Sequence, residues 1–366
     1  MKMSTFVPER KTNFEILRIL SMLMIIAFHF ILHTRILETS FSINNNIAHF
    51  FNVGGEIGVL IFVLISGYFL IESPFKIRHI IYIILETWLY SVVIFLFMFI
   101  LVKSDFTIEE IIPNFFPILF SQYWFVPAYL GMYILSPFAN ILIFHLSKEQ
   151  HASLIVVLLI MFSLIPLCPS TAPFYPSNLL YFIFIYLVAG YLKKHWTLQI
   201  KKWVYLCVLG ISFIIVYLTY PVFTFLSQYH SYFELRLIYF ASLTSPFTFL
   251  SATSLFLYFK NTSIKNSGFI NLVASTTLGI YLIHENPLLN RYIWEWLKIE
   301  EYFYTPYFII NLLIGVVATF IVCCAIDLVR RILFEKIFSL SKIRDGLFKI
   351  DFKINSLLKP ISNDKT

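Results

Sequence analysis

The sequence predicts an all-α, polytopic integral membrane helix bundle of about ten transmembrane helices, with both termini in the cytoplasm. Three observations predict it. Of the 366 residues, 59% are hydrophobic and only 13% charged, against roughly half and a quarter in a soluble domain. Apolar stretches long enough to cross the hydrocarbon core recur along the chain. Lysine and arginine collect in short caps on alternate sides of those stretches, the bias that orients membrane helices.

The expected spans are residues 13–34, 47–71, 79–102, 124–145, 151–168, 178–192, 203–221, 237–259, 268–288 and 307–330. The fifth and sixth are short and flank a turn with Pro166, Pro169, Pro173 and Pro176, where a tilted or partly re-entrant passage is open. With the N-terminus inside, the inner loops carry Lys76, Arg78, Lys148, Lys193, Lys194, Lys201, Lys202, Lys260 and Lys265. The outer loops carry only Arg35, Lys103, Arg236, Arg291 and Lys298. This divides the chain into a membrane domain, 1–335, and a basic cytoplasmic tail, 336–366. Within the tail region, the stretch Ile332 to Phe352 has the pattern of a helix lying on the inner leaflet.

Several function classes are disfavoured. The net charge of +7 sits in loops rather than on a solvated basic domain, so the expected partner is the bilayer and not nucleic acid. Forty-one Phe and 22 Tyr fit a bundle with aromatic interfacial anchors. Cys168, Cys207, Cys323 and Cys324 form no C-x-x-C pair and read as small hydrophobes, with no disulfide framework and no metal site expected. The first apolar stretch holds Glu15 and Arg18 and no small-residue cleavage site before Arg35, so a retained helix is expected. No glycine-rich phosphate loop occurs, and Asn261 heads an expected cytosolic, chance glycosylation match.

The first span poses the functional question, because it keeps Arg18 and His29 in an apolar run. The two are 11 residues apart, so they lie about 20° apart around the helix and about 16 Å apart along it. Ionisable groups in a membrane are costly and face the bundle interior or a wet cavity. Such a pair suits an anionic ligand at the Arg18 end and proton chemistry at the His29 end. The bland reading is a local Glu15–Arg18 pair and a histidine that is only hydrogen-bonded.

Phe14-Glu-Ile-Leu-Arg-Ile-Leu-Ser-Met-Leu-Met-Ile-Ile-Ala-Phe-His29 resembles the opening of membrane acyltransferase family 3. Gly58 to Ile71, with its Ser-Gly-Tyr, is similar to the second helix of that family. Tyr123-Trp124-Phe125-Val126-Pro127 with the later Leu135-Ser136-Pro137, and Thr277-Leu-Gly-Ile-Tyr281-Leu-Ile-His284, resemble its later motifs. The resemblance implies transfer of an acyl group, commonly acetyl from acetyl-CoA, to sugars of surface polysaccharides. It implies His29 as the catalytic histidine and Arg18 as its partner. Phe75-Lys76-Ile77-Arg78-His79 is a degenerate form of the Arg-x-x-Arg that family members carry there, which implies Lys76 and Arg78 on the CoA phosphates. The acidic residue that members carry early in helix two is replaced by Leu60, and Glu56 is the nearest substitute. Some members carry a fused extracellular domain, which is not expected here.

The topology sets His49, Glu56, Trp124, Glu234, Arg236, Tyr281, His284 and Glu285 toward the outer side with His29. Trp124, Tyr281, His284, Glu285 and Arg236 would then serve a sugar site, with aromatic faces for rings and polar groups for hydroxyls. Glu56 or Glu285 would orient the imidazole. His29 is expected as general base, and an acyl-histidine relay is equally open. A bacterial cytoplasmic membrane and a capsule or exopolysaccharide acceptor, or its lipid-linked precursor, are expected from the Asn/Lys/Ile/Phe-rich usage. The rival classes are a lipid-linked sugar transporter or flippase, a polysaccharide polymerase and a non-catalytic scaffold. The first lacks paired interrupted helices in two similar halves, and the last gives no reason for the Arg18/His29 pair.

Overall fold

The computed structural model describes residues 10–34, 42–102, 106–168, 174–234, 236–237, 239–338, 350–351 and 353–356. Arg35, Lys103, Pro169, Pro173 and most of the expected amphipathic stretch and basic tail lie outside them. The described residues contain helices and no strand. In chain order these are α1 (Thr12–Thr34), α2 (Ile43–Asn52), α3 (Gly54–Leu70), α4 (Ile77–Phe97), α5 (Ile108–Phe115), α6 (Phe125–His145), α7 (Lys148–Leu159) and α8 (Asn178–Lys194). Then come α9 (Lys202–Ser227), α10 (Ser231–Glu234), α11 (Pro246–Lys260), α12 (Gly268–Ala274), α13 (Thr277–His284), α14 (Asn290–Trp296), α15 (Ile299–Phe303) and α16 (Phe308–Phe338).

Eight helical stretches among the described residues are long and apolar enough to cross a membrane, and the chain is a multi-pass membrane protein. The other two expected spans are shorter for different reasons. α8 has 17 residues and buries Tyr181, Phe182, Phe184, Ile185 and Tyr186 completely or nearly so. Its length is therefore set by protein neighbours rather than by lipid. The span expected at 268–288 is broken at Ser275 and Thr276, where Arg331 of α16 donates to the Ser275 hydroxyl and Thr276 Oγ1 donates to Val273 O at 2.7 Å. The fifth span is a single helical path from Lys148 to Leu167, so no re-entrant passage is seen there.

Small residues set the central packing. A methyl group on Gly58 of α3 would lie 2.7 Å from the backbone carbonyl of Ser21 in α1, so only glycine lets these two backbones meet. Gly54 lies one turn earlier on the same face, giving the small-xxx-small spacing that brings membrane helices together. Gly67 of α3 meets Ala189 of α8 in the same way. α1, α3 and α8 thereby form the middle of the bundle, with Leu17, Ile26, Phe30, Ile57, Leu60, Ile61 and Leu64 excluded from solvent. By contrast α9 turns Ile211, Ile214, Leu218 and Val222 outward, the face of a helix whose solvent is lipid.

Candidate active site

A cavity of about 300 Å³ runs along one face of α1, lined by Arg10, Arg18, Met22, Ile25 and His29. The 11-residue spacing thus does what helix geometry dictates: Arg18 and His29 open into one space at two depths. Val59, Phe62 and Ser66 of α3, His79, Tyr82 and Glu86 of α4, and Ser275, Thr277 and Tyr281 complete the wall. At the start of α6, Trp124, Phe125 and Tyr129 also line the cavity.

At the His29 end the hydrogen bonds fix a tautomer. His284 Nδ1 lies 2.6 Å from Ile280 O, and only an N–H satisfies a carbonyl oxygen. A neutral His284 then carries its lone pair on Nε2, which is 3.0 Å from His29 Nδ1. Glu285 Oε2 is also 3.0 Å from His29 Nδ1. With an acceptor on both sides, Nδ1 of His29 must be the donor. Its lone pair is left on Nε2, the nitrogen a general base uses. Glu285 also accepts from His33 Nε2, at 3.0 and 3.2 Å. This is the logic of an imidazole held by an acid so that its other nitrogen reacts.

A second layer holds the acid's element in place. Asn286 donates to the Tyr123 hydroxyl at 2.7 Å, and Tyr123 donates to Leu282 O at 3.1 Å. Burial pushes the Tyr123 phenol up from its usual range, with the Asn286 hydrogen bond partly offsetting it, so it stays a neutral donor. α13 is thereby pinned to the start of α6.

The Arg18 end is cationic but ordered by acids. Glu15, almost fully buried, accepts from Arg18 at 3.2 Å and faces Arg10 at 3.7 Å. Arg10 also donates to Asn271 O at 3.1 Å. Across the cavity, Glu86 pairs with Arg330 Nη2 at 3.0 Å. Arg330 Nε in turn donates to Asp327 at 2.7 Å, and Tyr90 donates to the same oxygen at 2.7 Å. Asp327 is fully buried, and its charge is compensated by these partners, as a buried ion must be.

Sequence reasoning placed some of these residues and misplaced others. Trp124 and Tyr281 line the cavity, and His284 and Glu285 sit on His29. Glu56 does not reach the imidazole: Glu285 is the acid there, and Glu56 Oε2 is buried without a hydrogen-bond partner. Lys76 and Arg78 do not line the cavity. Arg78 faces Asp351 at 3.4 Å, whose other oxygen accepts from Ile77 N at 2.7 Å, so the C-terminal segment occupies that turn. Arg236 lies between α10 and α11, over the Tyr232 and Tyr239 rings, and His49 stacks on Tyr220; neither joins the cavity. The sequence reading missed His33, Arg10, Glu86 and Asp327. His33 carried a signal, since it falls one turn after His29 on the same face.

The ligand atoms of His29, His284 and Glu285 lie within 4.8 Å of one another, a spacing that also fits a metal ion. A cation bound at His29 Nδ1 would leave the ring proton on Nε2 and so remove the base.

A family model described as an acyltransferase domain matches residues 11–328. The chain belongs to that family, membrane acyltransferase family 3, and is an acyltransferase. No curated relative and no solved structure matches it.

Proposed function

We propose that this protein transfers acetyl from acetyl-CoA to a hydroxyl of a cell-surface polysaccharide, or of its lipid-linked precursor, in a bacterial cytoplasmic membrane. The observation that carries the reading is the tautomer-fixed His29 at one end of a cavity whose other end holds Arg10 and Arg18. Guanidinium groups bind phosphates through paired N–H donors. Arg10 and Arg18 hold the phosphates of acetyl-CoA at the cytosolic face. The thioester arm lies along α1 among Met22, Ile25, Val59 and Phe62, and presents its carbonyl at His29.

The acceptor hydroxyl gives its proton to His29 Nε2 as its oxygen attacks the thioester carbonyl. Glu285 stabilises the imidazolium that forms. Collapse breaks the carbon–sulfur bond, and the departing thiolate takes the proton back from His29. In the acyl-histidine variant the same nitrogen attacks first, and the protein carries the acetyl group between the two steps. Trp124 gives a sugar ring an aromatic face.

The test is acetyl content of the surface glycan, by NMR, in cells making equal amounts of each protein. His29→Ala should abolish acetylation while the protein remains inserted. Near-normal acetylation would make His29 structural and move the transporter reading ahead, since intramembrane Arg and His also mark substrate paths.

A further inference from the structure

Tyr281 stands out among the groups around the cavity. It lies on α13, 6% exposed, and its ring is 6.5 Å from the His29 ring, centroid to centroid. Among the described residues lining the cavity, Tyr281 alone has a buried polar side-chain atom with no hydrogen-bond partner. An orphaned buried hydroxyl costs on the order of 1–3 kcal/mol. A fold rarely leaves such a group unpaired unless something arrives to use it. Tyr123 and Phe125 pack edge-on against its ring, each 6.0 Å away centroid to centroid.

The opposite wall adds a second donor. α6 begins at Phe125 with no side-chain cap from Trp124, so the first N–H groups of this 21-residue helix have no intrahelical partner. The Phe125 N–H approaches the Tyr281 hydroxyl without reaching hydrogen-bond alignment. The Phe125 N–H therefore points toward the Tyr281 oxygen, and the Tyr281 O–H has no acceptor of its own.

We propose that Tyr281, with the Phe125 N–H beside it, is the oxyanion site of the transfer, binding the thioester carbonyl oxygen as it becomes negatively charged. The inference rests on the acyl-transfer reading above and assigns Tyr281 a catalytic contact there. As the acceptor oxygen bonds to the carbonyl carbon, the carbon–oxygen π pair moves onto the carbonyl oxygen. That oxygen accepts from Tyr281 O–H and Phe125 N–H. When the π bond re-forms, the CoA thiolate leaves and takes the proton held by His29. The helix N-terminus favours the same charge through its dipole. Because the charge exists only in the intermediate and its transition states, the donors accelerate the reaction without tightening substrate binding.

Tyr281→Phe separates this role from a structural one, because it removes only the oxygen. Three quantities decide: the initial rate of acetyl incorporation into the surface glycan after a labelled-acetate pulse, acetyl-CoA affinity of the purified full chain, and its thermal midpoint in detergent. The rate should fall on the order of 10²–10³-fold, the usual loss for one oxyanion donor. Acetyl-CoA affinity should stay within threefold, and the midpoint should hold or rise, since an unpaired buried hydroxyl has been removed. A rate within threefold of the parent overturns the assignment and leaves the His29 reading standing. A lowered midpoint with lost affinity makes the hydroxyl structural and also overturns it. A parent protein that incorporates no more acetyl than His29→Gln would defeat the acyl-transfer reading itself.

Discussion

An imidazole serves as a base only when its second nitrogen is protonated and held, and at His29 two residues of one turn do the holding. His284 and Glu285 both reach Nδ1 at 3.0 Å, and the bond from His284 to Ile280 O settles which nitrogen carries each proton. Glu285→Gln keeps the shape but loses the charge that stabilises the imidazolium. It should lower kcat on the order of 10²-fold with little change in the KM for acetyl-CoA; an unchanged kcat would remove Glu285 from the mechanism. In the proposed general-base mechanism Nδ1 of His29 carries a proton, so dialysis against a strong chelator should leave the transfer rate intact. Activity lost to the chelator and restored by zinc would favour the metal reading instead. At this scale the sequence showed half of the site. Arg18 and His29 were legible because both lie on one helix, where spacing fixes angle. Glu15, the partner of Arg18, lies three residues away and was legible for the same reason. His284 and Glu285 lie some 250 residues from His29. They were named only through the expected topology and the family resemblance, because no local period reports a contact of that range.

Among the elements, two seams carry the site. The α1–α3 seam depends on Gly58, and Gly58→Ala would press its methyl group to 2.7 Å from the Ser21 carbonyl. Backbone cannot swing aside as a side chain does, so the substitution should cost about 1–3 kcal/mol. A lowered thermal midpoint checks this, and an unchanged one would mean that α1 and α3 are looser than described. The second seam concerns the phosphates. Arg10→Ala with Arg18→Ala should weaken acetyl-CoA binding by about 10–100-fold, as expected for charged hydrogen bonds worth roughly 1.5–3 kcal/mol. Lys76→Ala with Arg78→Ala should change it less than threefold, since Arg78 already faces Asp351. Equilibrium binding of labelled acetyl-CoA measures both, and the reverse order would return the phosphates to the α3–α4 turn. Eight of the ten expected spans were readable because each is an apolar run of the required length. The break in 268–288 was not read, although Ser275, Thr276 and Thr277 mark it locally. Their hydroxyls bond the carbonyls of Leu272, Val273 and Ala274, and Arg331 of α16 meets Ser275 there.

For the whole molecule, the reading requires that the cytosolic face supplies the donor and the cavity carries the acyl group from there toward the outer half of the membrane. The lysine and arginine asymmetry is the ground on which that sidedness is proposed. A cysteine placed at position 109 should react with an impermeant reagent from outside, and one at position 198 should not. Cys168 and Cys207 are exposed and must first be replaced by serine. Labelling at 198 in intact cells would invert the topology. The measurement that tests the central claim most directly uses membrane vesicles of both orientations, loaded with endogenous acceptor and given radiolabelled acetyl-CoA outside. Inside-out vesicles, which present Arg10 and Arg18 to the label, should incorporate acetyl into glycan, and His29→Gln vesicles of the same orientation should not. Equal incorporation by right-side-out vesicles, or by the His29→Gln protein, would contradict the account.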